Sequence, residues 1–299
     1  MDLSKKKSNI ESVIGSFYTL SACIDKVPNV VKWNYRNIEQ EKYLKIYENC
    51  KGAKIPEIES KVSIGTVEPV NKFLKDKGFD IQLDQLKTPE DLAIASVLEL
   101  LLKWIDVGIK GKIHYNNSEY TGVHLESGVN VMDVGIGYGI STIGPVGIIN
   151  TRNKDKVLMT IPSKKPNTSF EVLDMARSLI LCEKRPSEYY ESYNLSFPMI
   201  DLDIKPDINW LVDMWTWRTD NPDKGWNIDQ ALQQTKVKLN EEGCEIKEAV
   251  AIGVRCFCAS FDMKHPFVID KPFLLVVQRE GLKEPLFSAY LDIDSWIKE

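Results

Sequence analysis

Apolar and polar residues alternate over several stretches in the second half of the chain, and the alternation is clearest over residues 244–253. Every second residue there falls on one face, which is the period of a β-strand. Glu248 is a charged residue on the otherwise apolar face. That face consists of Cys244, Ile246, Glu248, Val250 and Ile252. The pattern predicts a strand that leads into an irregular segment.

Two apolar runs follow, Phe273–Val277 and Pro285–Tyr290, and the turn-like Arg279-Glu280-Gly281 lies between them. Runs of this length around a glycine-containing turn are typical of a buried hairpin. We expect the residues between the alternating stretch and the hairpin to form a long exposed segment. The flanks of that segment are predicted to be strands of one sheet system.

Further runs rich in β-branched residues predict more strands upstream, separated by asparagine, glycine and aspartate turn residues. Trp215–Trp226 has the composition of a polar, tryptophan-rich connection. The predicted strands are Lys112–Tyr115, Val129–Val134, Val146–Ile149, Val157–Ile161, Tyr193–Ile204 and Thr235–Leu239.

Capping residues and apolar spacing predict several helices. Ser8 and Glu11 suit a capping box, and Asn37 suits an N-cap. Thr88–Asp91 is a typical helix start, and residues 92–104 behind it are good helix formers. The other predicted helices are Asn9–Ile24, Ile38–Asn49, Pro69–Lys77, Phe170–Cys182, Asp207–Met214 and Ile228–Gln233, the last capped by Asn227. Helices and strands mixed without repeats or a linker predict one α+β domain.

The 299 residues carry a formal net charge of −5, with basic and acidic residues interspersed. No charged block is present that would bind nucleic acid or a membrane surface, so we expect neither partner. No apolar run reaches the roughly 18 residues of a membrane span. The basic start Met1–Lys7 is not followed by a signal-peptide core. With six scattered cysteines, we expect reduced thiols and a cytoplasmic or other intracellular location.

Residues 131–139 read Val-Met-Asp-Val-Gly-Ile-Gly-Tyr-Gly. A strand that runs into Asp-x-Gly-x-Gly-x-Gly resembles the nucleotide-facing loop of S-adenosylmethionine-dependent methyltransferases, where a helix must follow. Pro145 would break that helix, and no clear acidic residue ends a second strand. We therefore favour a glycine-rich bend in a β region and keep a methyltransferase as the weakest alternative.

The three histidines, His114, His124 and His265, are each alone in their neighbourhood, and none has metal-ligand spacing. The thiols Cys256 and Cys258 are too close together for a zinc knuckle and are interpreted as free loop thiols. We predict no metal, no cofactor and no catalytic residue. Core and edge packing is the commoner role of clustered tryptophans, although they can form an aromatic binding surface. The clustered tryptophans are Trp210, Trp215, Trp217 and Trp226.

Several segments share their pattern with one protein family. Residues 237–245 read Val-Lys-Leu-Asn-Glu-Glu-Gly-Cys-Glu, which resembles the strand and hinge that lead into the reactive-centre loop of the serpins, where Glu-Glu-Gly-Thr-Glu is typical. Phe267–Leu291 resembles the closing strand pair of that family. Residues 197–200, Phe-Pro-Met-Ile, resemble its Leu-Pro-x-Phe strand, Val157–Pro162 a strand that ends in Leu-Pro, and Pro69–Leu86 the helix over its main sheet.

The likeness covers residues 69–299 and implies a serpin-like α+β fold, with mixed sheets, helices packed on them and an exposed loop. A typical serpin is substantially longer, so the N-terminal helical part, residues 1–68, must be reduced or divergent. The family's Asn-Ala-x-Tyr-Phe-Lys-Gly-x-Trp strand falls over Ser96–Trp104, where local propensity favours a helix. We predict the strand, because tertiary context can override propensity.

In the mechanism that the resemblance implies, a protease cleaves the loop, forms an acyl-enzyme and is trapped as the loop inserts into the central sheet. The implied hinge consists of Glu241, Glu242, Gly243, Cys244, Glu245, Ile246 and Glu248, and the implied scissile region of Arg255, Cys256, Phe257 and Cys258. Ile246, Lys247 and Glu248 replace the usual alanines. Burial of the Glu248 carboxylate without a partner is costly, so insertion is expected to be slow or incomplete.

The sequence therefore predicts a serpin-like protease inhibitor or a degenerate relative, which is not an enzyme and which binds a protein partner such as a protease. A non-inhibitory serpin-fold binding protein is the alternative, because slow insertion would leave the loop to be cut as an ordinary substrate. Neither the target protease nor the oligomeric state follows from the sequence.

Overall fold

The computed structural model describes residues 12–132, 143–183, 189–190, 194–246 and 267–298. Four α-helices lie within these residues: α1 (Tyr18–Ile24), α2 (Ile38–Cys50), α3 (Glu68–Asp76) and α4 (Ser169–Glu183). None of these helices is long and apolar enough to cross a membrane. Three of the predicted helices are confirmed as α2, α3 and α4, and Asn37 caps α2 by accepting a hydrogen bond from Gln40 N at 2.8 Å.

Twenty strands lie in the same parts of the chain, and together with the helices they confirm the α+β class. The strands are β1 (Val13–Ile14), β2 (Val30–Asn34), β3 (Ile58–Ile64), β4 (Leu92–Leu98), β5 (Leu100–Lys103), β6 (Ile109–Tyr115), β7 (Ser118–Leu125), β8 (Val129–Met132), β9 (Ile143–Asn150), β10 (Lys156–Pro162), β11 (Tyr189–Tyr190), β12 (Leu195–Pro198), β13 (Ile200–Ile204), β14 (Trp215–Arg218), β15 (Gly225–Asn227), β16 (Thr235–Leu239), β17 (Gly243–Ile246), β18 (Phe267–Val268), β19 (Phe273–Gln278) and β20 (Phe287–Leu291).

The described strands form sheets in the orders β1-β20-β19-β10-β9-β8-β11, β18-β12-β7-β6, β13-β16-β17-β5, β15-β14-β2 and β3-β4. The predicted buried hairpin is confirmed as β19 and β20. The flanks of the segment after β17 lie in different sheets, so the prediction of one sheet system was wrong. The chain changes sheet because β18 pairs in parallel with β12 before the hairpin begins.

The seven-stranded sheet is buried on both faces. In β10, Val157 and Met159 point into the main core, whereas Leu158 points into a second core beneath α4. Such double burial explains why these strands appear in the sequence as continuous apolar runs rather than alternating ones. The main core also contains buried residues of β5, β13 and β16, so the two sheet systems share it.

Residues 92–103 form β4 and β5, as the resemblance predicted and against the local helix propensity. Ala93, Ala95 and Val97 lie buried against α3, so packing of one strand face determines the conformation. Only Glu99 separates β4 from β5. The sheet β3-β4 therefore continues the sheet β13-β16-β17-β5, and we call the combined surface the central sheet.

The predicted helix start at residues 88–91 folds as a turn instead. Asp91 accepts hydrogen bonds from Thr88 N at 2.8 Å and from Lys87 N at 3.0 Å. An aspartate side chain that satisfies nearby backbone N–H groups competes with helix formation. β4 begins directly after this turn, at Leu92.

The first predicted helix begins later than expected, because α1 starts at Tyr18 and is preceded by β1. Gly15 N donates to Ser288 O at 2.8 Å, and Ser288 Oγ donates to Gly15 O at 2.8 Å. These bonds hold the chain at the edge of the seven-stranded sheet, where helical geometry is impossible. The proposed capping residues Ser8 and Glu11 lie outside the described residues.

The single strand predicted over residues 193–204 is two strands in two sheets. Met199 lies between β12 and β13, and its backbone N donates to Thr121 O at 2.8 Å. Ile297 N donates to Met199 O at 3.0 Å. Because Met199 bonds to other segments, the strand bends there and continues in the central sheet.

The prediction of a polar connection over Trp215–Trp226 was also wrong. Its ends form the antiparallel pair β14 and β15, and Asn227 ends β15 rather than capping a helix. The residues that follow are not helical, because the side chains of Gln230 and Gln234 accept hydrogen bonds from Asp84 N and Asp80 N. Upstream, the helix predicted over residues 207–214 is reduced to the 3-10 turn Asn209–Leu211.

Candidate functional site

The start of the predicted hinge is an interior strand of the central sheet. β17 pairs antiparallel with β5 over its whole length and with β16 through Lys238 and Leu239. Cys244 lies opposite Leu102 on one side and Leu239 on the other, and all three side chains are fully buried. The chain has therefore turned back into the sheet immediately after β16.

Asn240 organises the turn between β16 and β17. Its Oδ1 accepts hydrogen bonds from Glu242 N at 2.9 Å and from Gly243 N at 3.1 Å. Its own backbone N donates to Gly243 O at 3.0 Å. Asparagine side chains commonly stabilise turns by binding the backbone two residues on. The chain therefore reverses direction within three residues.

Trp104, at the end of β5, fixes this turn from the other side. Its indole Nε1 donates to Asn240 O at 3.0 Å, and its backbone N donates to Glu242 O at 3.1 Å. The ring is 2% exposed and lies edge-on to Phe197, with centroids 6.1 Å apart. A buried indole that satisfies its N–H on a carbonyl gives a rigid anchor.

Glu241 is held through both its backbone and its carboxylate. Gly108 N donates to Glu241 O at 2.7 Å, and Lys110 Nζ lies 3.0 Å from the Glu241 carboxylate. Trp104, Asn240 and Lys110 are functional-site residues that were not predicted from the sequence. Two of the three carried a signal: Trp104 falls on the tryptophan that ends the family's strand motif, and an asparagine three residues before a glycine, as at Asn240, is typical of a turn.

A side chain at Gly243 has no space in this arrangement. An added Cβ would lie 2.0 Å from Leu102 O, so only glycine permits this approach of the two backbones. We expect Gly243→Ala to displace β17 and to lower the free energy of unfolding by about 1–3 kcal/mol. Gly111→Ala is the matched control, because an added Cβ there meets nothing within 4 Å.

The thiol of Cys244 reports the displacement. Burial raises the pKa of Cys244 to about 12, so at pH 8 only about one thiol in ten thousand is the reactive thiolate. Alkylation by iodoacetamide, followed by peptide mass spectrometry, should be slow at Cys244 in the wild type and in Gly111→Ala. It should be at least tenfold faster in Gly243→Ala. Equal protection in all three proteins would show that β17 tolerates a side chain at this position.

A cavity of about 640 Å³, which we call the slot, lies beyond the C-terminal end of β17 and is lined by β4 and the start of β16. One wall is β4, whose second edge pairs with no strand of the described chain. The other wall is formed by residues 226–236, which run from the end of β15 through the irregular residues 228–234 into the start of β16. At the β4 edge, Ile94 O accepts a hydrogen bond from Cys23 Sγ at 3.5 Å. The slot therefore offers an unpaired strand edge next to the end of β17.

The structure brings six of the predicted hinge residues together in the turn and β17. They are Glu241, Glu242, Gly243, Cys244, Glu245 and Ile246. The rest of the predicted site lies outside the described residues: Glu248, Arg255, Cys256, Phe257 and Cys258.

The glycine-rich motif does not lie in a nucleotide-binding unit. Residues 133–142 are outside the described chain, but β8 before them and β9 after them pair antiparallel with each other. A methyltransferase loop requires a strand followed by a helix and a parallel strand. The methyltransferase alternative is therefore not supported.

Among the remaining candidates, His265 lies outside the described residues, whereas His124 and Trp210 have structural partners. His124 Nδ1 lies 2.8 Å from Ser196 Oγ, and the two residues are opposite each other on β7 and β12. Trp210 packs against Tyr43 and Phe170, with ring centroids 5.6 and 5.3 Å apart. In the described residues, no group of three or more His, Cys, Asp or Glu side chains is placed to bind a metal.

Comparison with solved structures finds the same fold in serpins. Serpin48 from the insect Tenebrio molitor, a highly specific serpin, matches with 11% identity and a TM-score of 0.51 over 97% of this chain and 93% of its own. Human glycosylated kallistatin matches with 11% identity and a TM-score of 0.56 over 96% and 92%. Human thyroxine-binding globulin, in complex with thyroxine, matches with 10% identity and a TM-score of 0.56 over 93% and 91%.

At the level of sequence, no family model and no curated protein matches the chain. The structural matches nevertheless extend over more than nine tenths of its length. The chain therefore has the serpin fold, as the sequence resemblance predicted.

Proposed function

We propose that the protein is a serpin-type protease inhibitor that presents residues 247–266, between β17 and β18, to a target protease. The observation that carries the proposal is the register of β17, an interior strand whose continuation would run along slot-lining residues of β4 and β16. Trapping of a protease by loop insertion requires a vacant strand position next to the start of the loop. The slot meets this requirement, and the chain needs no catalytic residue of its own.

The register of β17 defines how an inserted loop would pair. Continued along β5, β4 and β16, it sets Glu248 opposite Leu98 and Thr235, and Val250 opposite Ser96. Leu98, Ser96 and Thr235 all line the slot. Val250 would be removed from water opposite Ser96, whereas Glu248 would meet a leucine and a single hydroxyl. Glu248 is therefore the residue at which we expect insertion to slow.

The test is to mix the protein with chymotrypsin, trypsin and a cysteine protease and to look for a complex that survives SDS. We expect a complex with chymotrypsin if the loop is cut after Phe257, and with trypsin if it is cut after Arg255. Phe257→Ala should abolish the first complex and spare the second, and Arg255→Ala should do the reverse. Clean loop cleavage by every protease, without a complex, overturns inhibition.

A non-inhibitory serpin-fold binding protein is the second candidate. The feature that favours it is the hinge composition, since Ile246, Lys247 and Glu248 stand where insertion favours small residues. The fold is compatible with a binding role, because one structural neighbour is thyroxine-binding globulin in complex with thyroxine. The two candidates differ in what loop cleavage does to stability, because only insertion of the cleaved loop adds a buried strand.

A further inference from the structure

A second cavity, an open groove of about 1660 Å³, lies between α2 and the strands β2 and β3. All five residues of β2 line it, and β3 contributes Ile58 and Ser60. Ile24, Leu44 and Ile55 give it an apolar lining. Because small-molecule sites typically measure about 300–1,000 Å³, a groove of this size suits a segment of polypeptide better than a small ligand.

The groove is positive, although the chain as a whole is negative. Five lysines line it against three carboxylates, and all three carboxylates have partners. The pairs are Glu41 with Lys45, Glu48 with Lys51, and Asp25 with the Tyr47 hydroxyl. Lys26, Lys32 and Lys54 make no ion pair in the described part of the chain. An occupant with carboxylates would complement these three charges.

β3 presents an unpaired strand edge beside the groove. Glu57 O and Gly65 N bond across to the chain of β4, at 3.0 and 2.9 Å. Because successive residues of an antiparallel strand bond to opposite sides, the backbone groups of Ser60 and Val62 point away from β4. No described strand pairs with that edge, and Val62 and Ile64 are 39% and 67% exposed. An edge of this kind is a template for an added strand.

We propose that the groove binds an extended segment of a partner protein in which acidic and apolar residues alternate. The segment pairs with β3 through the backbone of Ser60. Its apolar side chains pack on the groove lining, and its carboxylates meet Lys26, Lys32 and Lys54. The site is separate from the loop and does not depend on protease inhibition.

The probe is a fluorescein-labelled octapeptide of alternating glutamate and valine, titrated by fluorescence anisotropy against the intact protein. Charge is tested with Lys32→Glu and Lys54→Glu, each expected to weaken binding about threefold to tenfold. Lys271→Glu, an exposed position outside the groove, is the matched control and should leave binding unchanged. A lysine–valine octapeptide should not bind.

Strand pairing is tested with two variants of one residue. Ser60→Ala removes the hydroxyl that bonds to Ser96 Oγ at 2.8 Å but keeps the backbone N–H. Ser60→Pro removes the outward N–H as well. We expect Ser60→Pro to weaken binding at least tenfold relative to Ser60→Ala. As a measurement that leaves the protein unchanged, a peptide N-methylated at alternate residues should also bind at least tenfold more weakly.

Four results would overturn the proposal. The first is that Lys32→Glu and Lys54→Glu bind the acidic peptide as tightly as wild type does. The second is that the N-methylated peptide binds as tightly as the unmodified one. The third is that the acidic peptide does not bind whereas dodecanoate, a small apolar carboxylate, does. The fourth is self-association of the protein in sedimentation that Lys32→Glu abolishes, because the occupant would then be a second copy of the chain.

Discussion

Cleavage of the loop next to Phe257 is expected to raise the melting temperature of the protein by about 10 °C. If residues 247–254 enter the slot, Val250 and Ile252 become buried in the central sheet. Burial of two such side chains contributes about 3–6 kcal/mol. For a protein of this size, each kcal/mol shifts the melting temperature by about 2 °C.

Limited chymotrypsin digestion followed by calorimetry measures the shift, and sequencing of the fragments locates the cut. Glu248→Ala should increase the rise further, because no carboxylate is then buried between Leu98 and Thr235. Glu248→Gln keeps the shape of the side chain but removes its charge. Its rise in melting temperature should therefore lie between those of wild type and Glu248→Ala. An unchanged melting temperature in all three cleaved proteins would contradict insertion and favour the non-inhibitory binding protein.

Arg279→Ala is expected to lower the free energy of unfolding by about 3–5 kcal/mol. The guanidinium donates to both oxygens of Asp155, at 2.8 and 2.7 Å, and to both oxygens of Glu57, at 2.8 Å each. The Asp155 side chain is only 3% exposed. The substitution therefore leaves a buried carboxylate without its cation, at the place where the hairpin end meets the segments before β3 and β10.

Urea unfolding of Arg279→Ala, Arg279→Lys and wild type measures the loss. Arg279→Lys should be intermediate, because an ammonium cannot form both two-pronged pairs. Asp155→Asn should recover part of the loss when combined with Arg279→Ala. If Arg279→Ala unfolds at the wild-type urea concentration, the network contributes nothing to stability.

The same network predicts an acid dependence. The hydrogen bonds from Arg279 lower the pKa of Glu57 below its ordinary value of 4.5. A carboxylate with a lowered pKa stabilises the fold above its ordinary pKa, and this stabilisation is lost as the pH falls through the lowered value. Arg279→Ala should therefore show a weaker loss of stability between pH 5 and pH 3 than wild type.

Elements defined by neighbouring residues were predictable from the sequence. Asn37 and the apolar spacing behind it gave α2, and the two long apolar runs around Gly281 gave the hairpin. Residues 237–245 identified the start of the predicted hinge through their resemblance to the serpin sequence, and the turn that Asn240 stabilises within them is local. In each case the determining interactions lie within a few residues of one another.

Elements defined by distant contacts were not predictable in this way. Residues 92–104 have helix propensity but form strands because α3 covers one face of β4. Gln230 and Gln234 suit a helix but instead bind the backbone of Asp84 and Asp80. The slot forms between segments more than a hundred residues apart, and the same is true of the bonds from Trp104 to the turn. Contacts over such distances cannot be predicted from a local pattern.

The bend at Met199 has a consequence for the segment between β17 and β18. β12, on one side of the bend, pairs with β18, where that segment ends. β13, on the other side, pairs with β16, which pairs in turn with β17, where the segment begins. β17 and β18 are thus both held, directly or through β16, by the continuous ten-residue stretch from β12 to β13. The distance between the two ends of the segment is therefore fixed by these sheets. Residues can be inserted or deleted between them at little cost in closure entropy, so the reach of this segment can change over evolution while its attachment points stay in place.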